Sequence, residues 1–585
     1  MALALSSLRT PGVYVDEVSL LPPSVAAVET AIPVFIAHTQ TAKDDLGRDV
    51  ATWPATPYVK RITSMLEYEQ YFGTALSQTI AATVTADQMG SVQISALVYN
   101  MHYAIRHYFS NGGGPCYICS VGNFVAAPSV AAYTRGITAI ENADEPTLIL
   151  FPDAVNLAQG TDYYDVLTAA LSQCNVRGDR FLLCDVYNGD KEANRDVHIA
   201  AFRDGIGSNH LKYAAAYYPW LQTSLPFHYE DQRVTFTHTG GILNNQKLIH
   251  IRAIIKADEE KIKAQNAAAL AAAVPTTAPE AKDFALRAAR AAIVAANTVR
   301  DAALLDLVAA PELAAANAAA VLAQTALTDA TAVNIVDVGA KAAAVAAATS
   351  AVAAADAAIQ AAIIDHLTLA DVKRVFTAAF DARLRQLINE QRAVLPASAA
   401  IAGVYVMVDN SRGVWKAPAN VSLNQIIRPM VMINDEIQRN LNVDDTTGKS
   451  INAIRNFTGK GTLVWGARTL DAFSDEWRYV NVRRLFNMVE ESLKKSSSQF
   501  VFEPNDANLW IKVKAMTENF LTLLWRQGAL AGAKPSDAFL VRVGMPDTMD
   551  ANDVLNGRLI VEVLMAPVRP AEFIVLRFMH KLQVS

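Results

Sequence analysis

Three groups of residues in this chain have types and spacings that could do chemistry. Cys116 and Cys119 form a C-x-x-C inside GGGPCYICSVG. A four-thiolate zinc site would want a second close pair, and Cys174 and Cys184 are not one. Two strand cysteines in a reduced protein are the simpler reading, and four cysteines in this length make no disulfide scaffold. Gly448-Lys449-Ser450 closes VDDTTGKS in the manner of a phosphate-binding loop. That loop needs a glycine five residues before Gly448, where Val443 stands. The later NFTGKGT fails in the same way at Ile454, and neither follows a clear strand. These glycines are read as turn residues. His102 and His107 stand at i and i+5, so they do not share a helix face as an i, i+4 metal pair would. Asp475-Glu476 and Glu490-Glu491 are adjacent acids with nothing to pair them across a cleft. No G-x-S-x-G elbow or H-E-x-x-H occurs. The residues therefore predict no catalytic centre, no cofactor and no metal. The rival enzyme reading, a nucleotide-dependent α/β protein, rests on the Gly448 loop alone.

The elements that would position such residues fall into blocks. With 585 residues the chain is too long for one core, and several domains are expected. Its net charge of −6 gives no general argument for nucleic acid. MALALSSLRTPG lacks the basic start and long apolar run of a signal peptide. The segment that most imitates a membrane span, Ala342 to Ile364, is mostly alanine and carries Asp356. A central Asp costs roughly 2.5–3.5 kcal/mol on insertion scales. We read a helix in protein or water, with no membrane insertion.

The reading is a multidomain mixture of α/β and α+β. TPGVYVDEVS near the start is a short strand without a visible partner, since Pro22-Pro23 discourages a hairpin. TLILFPDAV and RFLLCDVY are buried strands, and DYYDVLTAALSQCNV between them has helical spacing. From about 248 to 393 alanine dominates and aromatics almost vanish. With breakers at Pro275, Pro279, Pro311 and Gly339, this is an inserted domain of several packed helices. AIAGVYVMVDNSRGVWKAPAN then reads as a strand and a turn-rich loop. VNVRRLFNMVEESLKKSSS is a helix with Val482, Leu485, Phe486, Val489 and Leu493 on one face, and Arg484, Glu491, Lys494 and Lys495 off it. NDANLWIKVKAMTENFLTLLWRQGAL is a second helix, capped by Asn505 or Asp506 and stopped at Gly528. PAEFIVLRFMHKL alternates as a terminal strand. Tryptophan and arginine cluster between Arg412 and Arg526, read either as core tryptophan with surface arginine or as protein contact.

Eight segments in order carry a resemblance: TPGVYVDEV, YFSNGGGPCYICSVG, AAAYYPWL, AGVYVMVDNSRGVWKAPAN, GTLVWGARTL, EWRYVNVRRL, VFEPNDANLW and APVRPAEFIVLRF. Together they resemble the tail sheath proteins of contractile phage tails and related contractile injection systems. The likeness touches both ends and departs in the Ala-rich region. It implies a sheath core built from N- and C-terminal parts: a linker arm at 1–30, an α/β region at 31–235, an inserted outer domain at 236–394, a C-terminal core at 395–570 and a linker strand at 571–585. It implies a non-enzymatic structural subunit that stacks with itself in six-fold rings. Its partners would be an inner tube, a baseplate and terminator or cap proteins, with no direct nucleic acid contact. It further implies that Val13, Tyr14 and Val15, with Phe573, Ile574, Val575 and Leu576, are strands that complete a small sheet between subunits. Glu490, Glu491, Lys494 and Lys495 are the expected inner-tube contact. The particle would assemble in the bacterial cytoplasm and belong to a phage tail or an injection device. A baseplate-proximal sheath paralogue is the alternative.

Overall fold

The computed structural model describes residues 25–50, 56–85, 88–125, 127–230, 233–239, 245–275, 280–304, 310–332, 338–364 and 382–577. Val13, Tyr14 and Val15 lie outside them, as does the terminal strand beyond residue 577. The described residues fall into two compact units, one within Met1–Leu76, Leu97–Leu225 and Arg392–Ser585, the other within Ser77–Ala96 and Pro226–Gln391.

The first unit is built on a nine-stranded sheet. Its order is Val421–Ser422, Gly461–Val464, Ile451–Phe457, Ala214–Tyr218, Phe181–Asp185, Leu148–Leu150, Pro33–Ala37, Cys116–Ser120, Tyr58–Ile62. The six strands from Ile451–Phe457 to Cys116–Ser120 run parallel, and antiparallel strands flank them on both sides. Numbered along the chain, the parallel six follow the order 2-1-3-4-5-6 of a doubly wound sheet. Successive residues supply opposite faces, as strand geometry requires. Val34 and Ile36 join one apolar layer with helices Val130–Ala139 and Gly160–Arg177, while Phe35 and Ala37 join the other. Both faces are covered, which is why these strands read as continuous apolar runs.

The second layer contains a correction. AIAGVYVMVDN is a helix, Ser398–Arg412, not a strand. Ten of its residues are buried, spread around the whole circumference. A helix apolar on every side shows no 3.6-residue stripe, so periodicity cannot tell it from a buried strand. Gly403 is the point of closest approach, since a Cβ there would sit 2.6 Å from the carbonyl oxygen of Tyr108 on helix Met101–Ser110.

The C-terminal part packs helix Val480–Ser497 and helix Ala507–Arg526 against an antiparallel pair, Phe539–Val543 with Val561–Met565. Asp506 caps the second helix by accepting the Asn508 and Leu509 amides, and Gly528 follows it with φ of 85°. Leu485, Val489, Phe520 and Leu524 form the shared core, while Phe486 and Trp510 are half-buried.

In the second unit, helices Asn245–Ala273, Ala281–Leu304, Ala310–Ala332 and Val338–Ile364 pack on one another. Their seam is almost pure alanine at 3-4 spacing: Ala316, Ala319, Ala323, Ala326 and Ala330 on one helix, Ala344, Ala348, Ala351 and Ala355 on another. Lys261 is nearly buried and bridges Asp258 and Asp356, each at 2.9 Å. Among the described residues no helix is long and apolar enough to cross a membrane. Residues 77–96, which composition leaves with the region 31–235, belong here. They form strands Ile80–Thr85 and Gln88–Ile94, joined by Val234–Thr239. Ile80, Ala82 and Val92 pack on Leu384 and Ile388 of helix Ala382–Glu390. Those partners lie far along the chain, so local composition carries no trace of them.

Candidate functional site

In a doubly wound sheet a ligand would bind beyond the carboxyl ends of the strands, where the order reverses. Here that place lies between Pro33–Ala37 and Leu148–Leu150. It is filled by the chain's own side chains. Asp153, fully buried, accepts the backbone amides of His38 at 2.9 Å, Asn100 at 2.6 Å and Met101 at 3.1 Å. Its carboxylate thus caps helix Met101–Ser110 and ties it to the ends of two strands. Burial pushes the Asp153 carboxyl up to about 7, against the pull of those amides. Burial pushes His38 down to about 4, so the ring faces Asp153 as neutral imidazole, 3.8 Å away. Thr39 and Ser120 hydroxyls close the floor at 2.6 Å.

The other chemistry-bearing residues also serve the fold. Cys116 and Cys119 point to opposite faces of the sheet, and burial pushes both thiols up. Gly448 has φ of 66°, a turn conformation that favours glycine. Lys449 folds inward and donates to the carbonyl of Arg203 in the last turn of helix Arg195–Gly205. A cation there suits the negative helix end, and burial lowers its affinity for the proton. His102 faces Glu69 at 3.2 Å, while His107 is buried and pushed down to about 4. Among the described residues no three His, Cys, Asp or Glu converge as a metal site.

What the structure does assemble is a set of anchors for the two chain ends. Phe573, Ile574, Val575 and Leu576 are in no ladder and are 73–80% exposed. Glu572, immediately before them, is tied down. Arg468 Nη2 reaches its Oε2 at 2.7 Å and Nε its Oε1 at 3.0 Å. Asn442 Nδ2 and the Tyr479 hydroxyl add bonds at 3.1 Å each. Burial works to raise the Glu572 carboxyl, but the Arg468 bonds and charge prevail and hold it below the usual range. At the other end, Arg484 Nη2 donates to the carbonyl of Thr30 at 2.9 Å and pairs with Asp409, both side chains only 3% exposed. The Thr30 hydroxyl donates to the same carboxylate, and the Val28 amide to the Ser492 hydroxyl at 3.0 Å.

The arginines sharpen two readings. Arg484, off the apolar face of its helix, is buried all the same. Of the two readings of the tryptophan–arginine cluster, core tryptophan with surface arginine fails for Arg468, Arg483 and Arg484, while Arg412 and Arg526 are exposed. Arg468, Arg483 and Arg484 are all buried, whereas Trp465 is 36% exposed. Arg483 stacks over the Trp477 ring at 4.2 Å and holds Glu490 at 2.9 Å. Sequence reading noted these arginines but missed their partners Asp409 and Glu572, which are remote in the chain. Helix Val480–Ser497 ends in Lys494 and Lys495, both exposed and both near Glu491 at 3.2 and 3.5 Å. The four residues of the expected tube contact thus stand on one helix, but their acids are already engaged, Glu490 by Arg483 and Glu491 by the lysines.

Residues 474–580 match the family model of the phage tail sheath C-terminal domain. The tail sheath protein of Enterobacteria phage T4 is 28% identical over 133 residues, 23% of this chain and 20% of that protein. The tail sheath protein of Burkholderia phage BcepMu is 31% identical over 144 residues, 24% and 30% of the two chains. The chain thus spans less than a third of the length of these curated relatives. The solved helical sheath of the anti-feeding prophage in its contracted state is similar across 98% of this chain and 100% of that one, with 25% identity and a TM-score of 0.54. Of the anchors that hold Glu572 and Val568, Tyr479 and Asn481 lie within the matched C-terminal domain and Arg468 just before it. The C-terminal part of the chain thus matches the phage tail sheath C-terminal domain, and its fold is similar to that of a solved contractile sheath.

Proposed function

We propose that this chain is the structural subunit of a contractile sheath, which stacks in six-fold rings around an inner tube and shortens to drive that tube through a target envelope. The observation that carries the reading is the pair of anchored ends. A continuous apolar run, Phe573 to Leu576, stands largely exposed while its root at Glu572 is bonded in place. A folded monomer gains nothing from such an arm, whereas a neighbouring copy gains a strand. The pair Phe539–Val543 and Val561–Met565 has no third strand among the described residues and so offers open edges for arms of other copies. Val13, Tyr14 and Val15 would be the matching arm at the other end. Head-to-tail contacts of this kind repeat without closing and generate helical tubes. Two subunit packings that differ modestly would add over many copies, behind a kinetic barrier set at assembly.

The partners in this reading are further copies, an inner tube, a baseplate and a terminator or cap, in a phage tail or an injection particle assembled in the bacterial cytoplasm. Electron microscopy of the purified chain, with and without inner tube protein and without nucleotide, tests the reading. Ringed tubes are expected. Removal of residues 1–19 should leave a folded protein that builds none. Nucleotide-dependent activity of dispersed chains, or normal contractile tubes from the truncation, would overturn it.

A further inference from the structure

We infer that helix Val480–Ser497 is a single coupling element that fixes the exits of both arms, so that loosening one arm root loosens the other. The helix reaches the N-terminal root twice, through Arg484 to the Thr30 carbonyl at 2.9 Å and through Ser492 to the Val28 amide at 3.0 Å. It reaches the C-terminal root through Asn481, whose Nδ2 donates to the Val568 carbonyl at 3.1 Å. The same amide group also donates to the Trp415 carbonyl at 2.9 Å. Tyr479, the residue that begins the helix, holds Glu572. These contacts are close together in the sequence of the helix and span its circumference: Tyr479 and Asn481 meet one end of the chain, Arg484 and Ser492 the other.

The helix is rigid where this matters. Arg484 is braced by the Asp409 carboxylate at 2.5 and 3.1 Å. Asn487 is braced by Arg483 at 2.7 Å and by the Arg180 carbonyl at 3.3 Å. Leu485, Met488 and Val489 are buried in the same core that Val25 and Val28 pack against. A body held on all sides by buried polar bonds moves as a unit or not at all. A shift of Glu572 that pulls on Tyr479, at the start of the helix, is therefore passed to the residues that hold Val28 and Thr30. Such coupling is reciprocal in free energy. The inference takes its meaning from the sheath reading, since arms matter only in an assembly, and it adds that both arm roots share one lever with the lysine end of this helix.

Amide exchange on the full chain, kept dilute and followed by mass spectrometry, tests it. Two amides report the roots directly: Val28, bonded to Ser492, and Val568, bonded to the Ala529 carbonyl. Glu572→Gln should speed exchange at both by about tenfold, the effect of weakening one charge-assisted contact. Ser492→Ala should speed both in turn. Acceleration confined to the root that was altered, in either variant, overturns the coupling, as does no change at either. The exchange is read on dispersed protein, so it stands apart from whether the wild-type chain builds tubes. Coupled exchange without tubes would sink the sheath reading and leave the lever. Tubes with uncoupled exchange would do the reverse.

Discussion

Arg468 and Glu572 meet as a two-pronged ion pair, 2.7 Å from Nη2 to Oε2 and 3.0 Å from Nε to Oε1, with the arginine side chain 6% exposed and the glutamate 24%. The pairing holds the residue that precedes the exposed apolar run Phe573 to Leu576 against the body of the chain. A bond of this kind fixes direction as well as position, because both planes must align. The arm therefore leaves the subunit at a set angle rather than as a loose tail.

Acid should open this contact. The Glu572 carboxyl is held below its ordinary 4.5. A lowered native value means the contact contributes its full stabilisation above the unfolded value and loses it as pH falls through the native one. The arm root is expected to stay closed at neutral pH and to open only below about 4.5. Exchange at Val568, compared between the wild type and Glu572→Gln across pH 3 to 6, checks this. The variant should show the open rate throughout, and a wild type that tracks it at pH 6 would refute the assignment.

The buried pair of Asp409 and Arg484 should be costly to break from one side. Asp409→Asn leaves a guanidinium with 3% exposure facing a neutral amide, which typically destabilises by about 3–5 kcal/mol. Urea unfolding gives the value. The double replacement Asp409→Leu with Arg484→Met should recover part of the loss, since it removes the stranded charge as well.

Asp153 is expected to matter for the fold and for nothing catalytic. Its two oxygens accept three backbone amides, and an asparagine must turn an N–H₂ toward at least one of them. Asp153→Asn should cost about 1–3 kcal/mol. The readout is the thermal midpoint of the purified chain. Loss of assembly with an unchanged midpoint would point to a different role.

The lysine end of helix Val480–Ser497 offers a separable test of tube attachment. Lys494 and Lys495 are exposed, and their ion pairs with Glu491 lie at the surface. Reversing both to glutamate should alter stability by no more than about 0.5 kcal/mol. The same change should abolish co-assembly with inner tube protein, seen as empty sheaths in micrographs. Unchanged tube-filled particles would remove these residues from the interface.

Much of the scaffold was legible, because its signals are local. TLILFPDAV and RFLLCDVY became parallel strands, the cap at Asp506 formed as its sequence suggests, and the alanine blocks became helices. What escaped depends on neighbours. Ser398–Arg412 reads as a strand because burial on all sides erases the stripe that marks a helix. Arg484 reads as surface because Asp409, the carboxylate that permits its burial, sits on another helix. Gly448 reads as a turn residue and is one, but the inward role of Lys449 is not legible, because the helix end it caps lies far upstream. Phe573 to Leu576 read as a strand from the alternation of PAEFIVLRFMHKL and from the resemblance, and they stand here exposed and in no ladder.

The alanine seam of the second unit has a consequence of its own. Packing that repeats the same small residue at 3-4 spacing looks nearly identical after one helix slides along its neighbour by a heptad. Shape alone then selects poorly among several alignments, unlike a core of mixed large and small residues. Lys261, paired with Asp258 on its own helix and with Asp356 across the seam, breaks that degeneracy, because a slide by a heptad would put Thr349 or Ile363 in the place of Asp356. The ion triplet thus acts as a register pin for helices whose shape alone selects poorly among alignments.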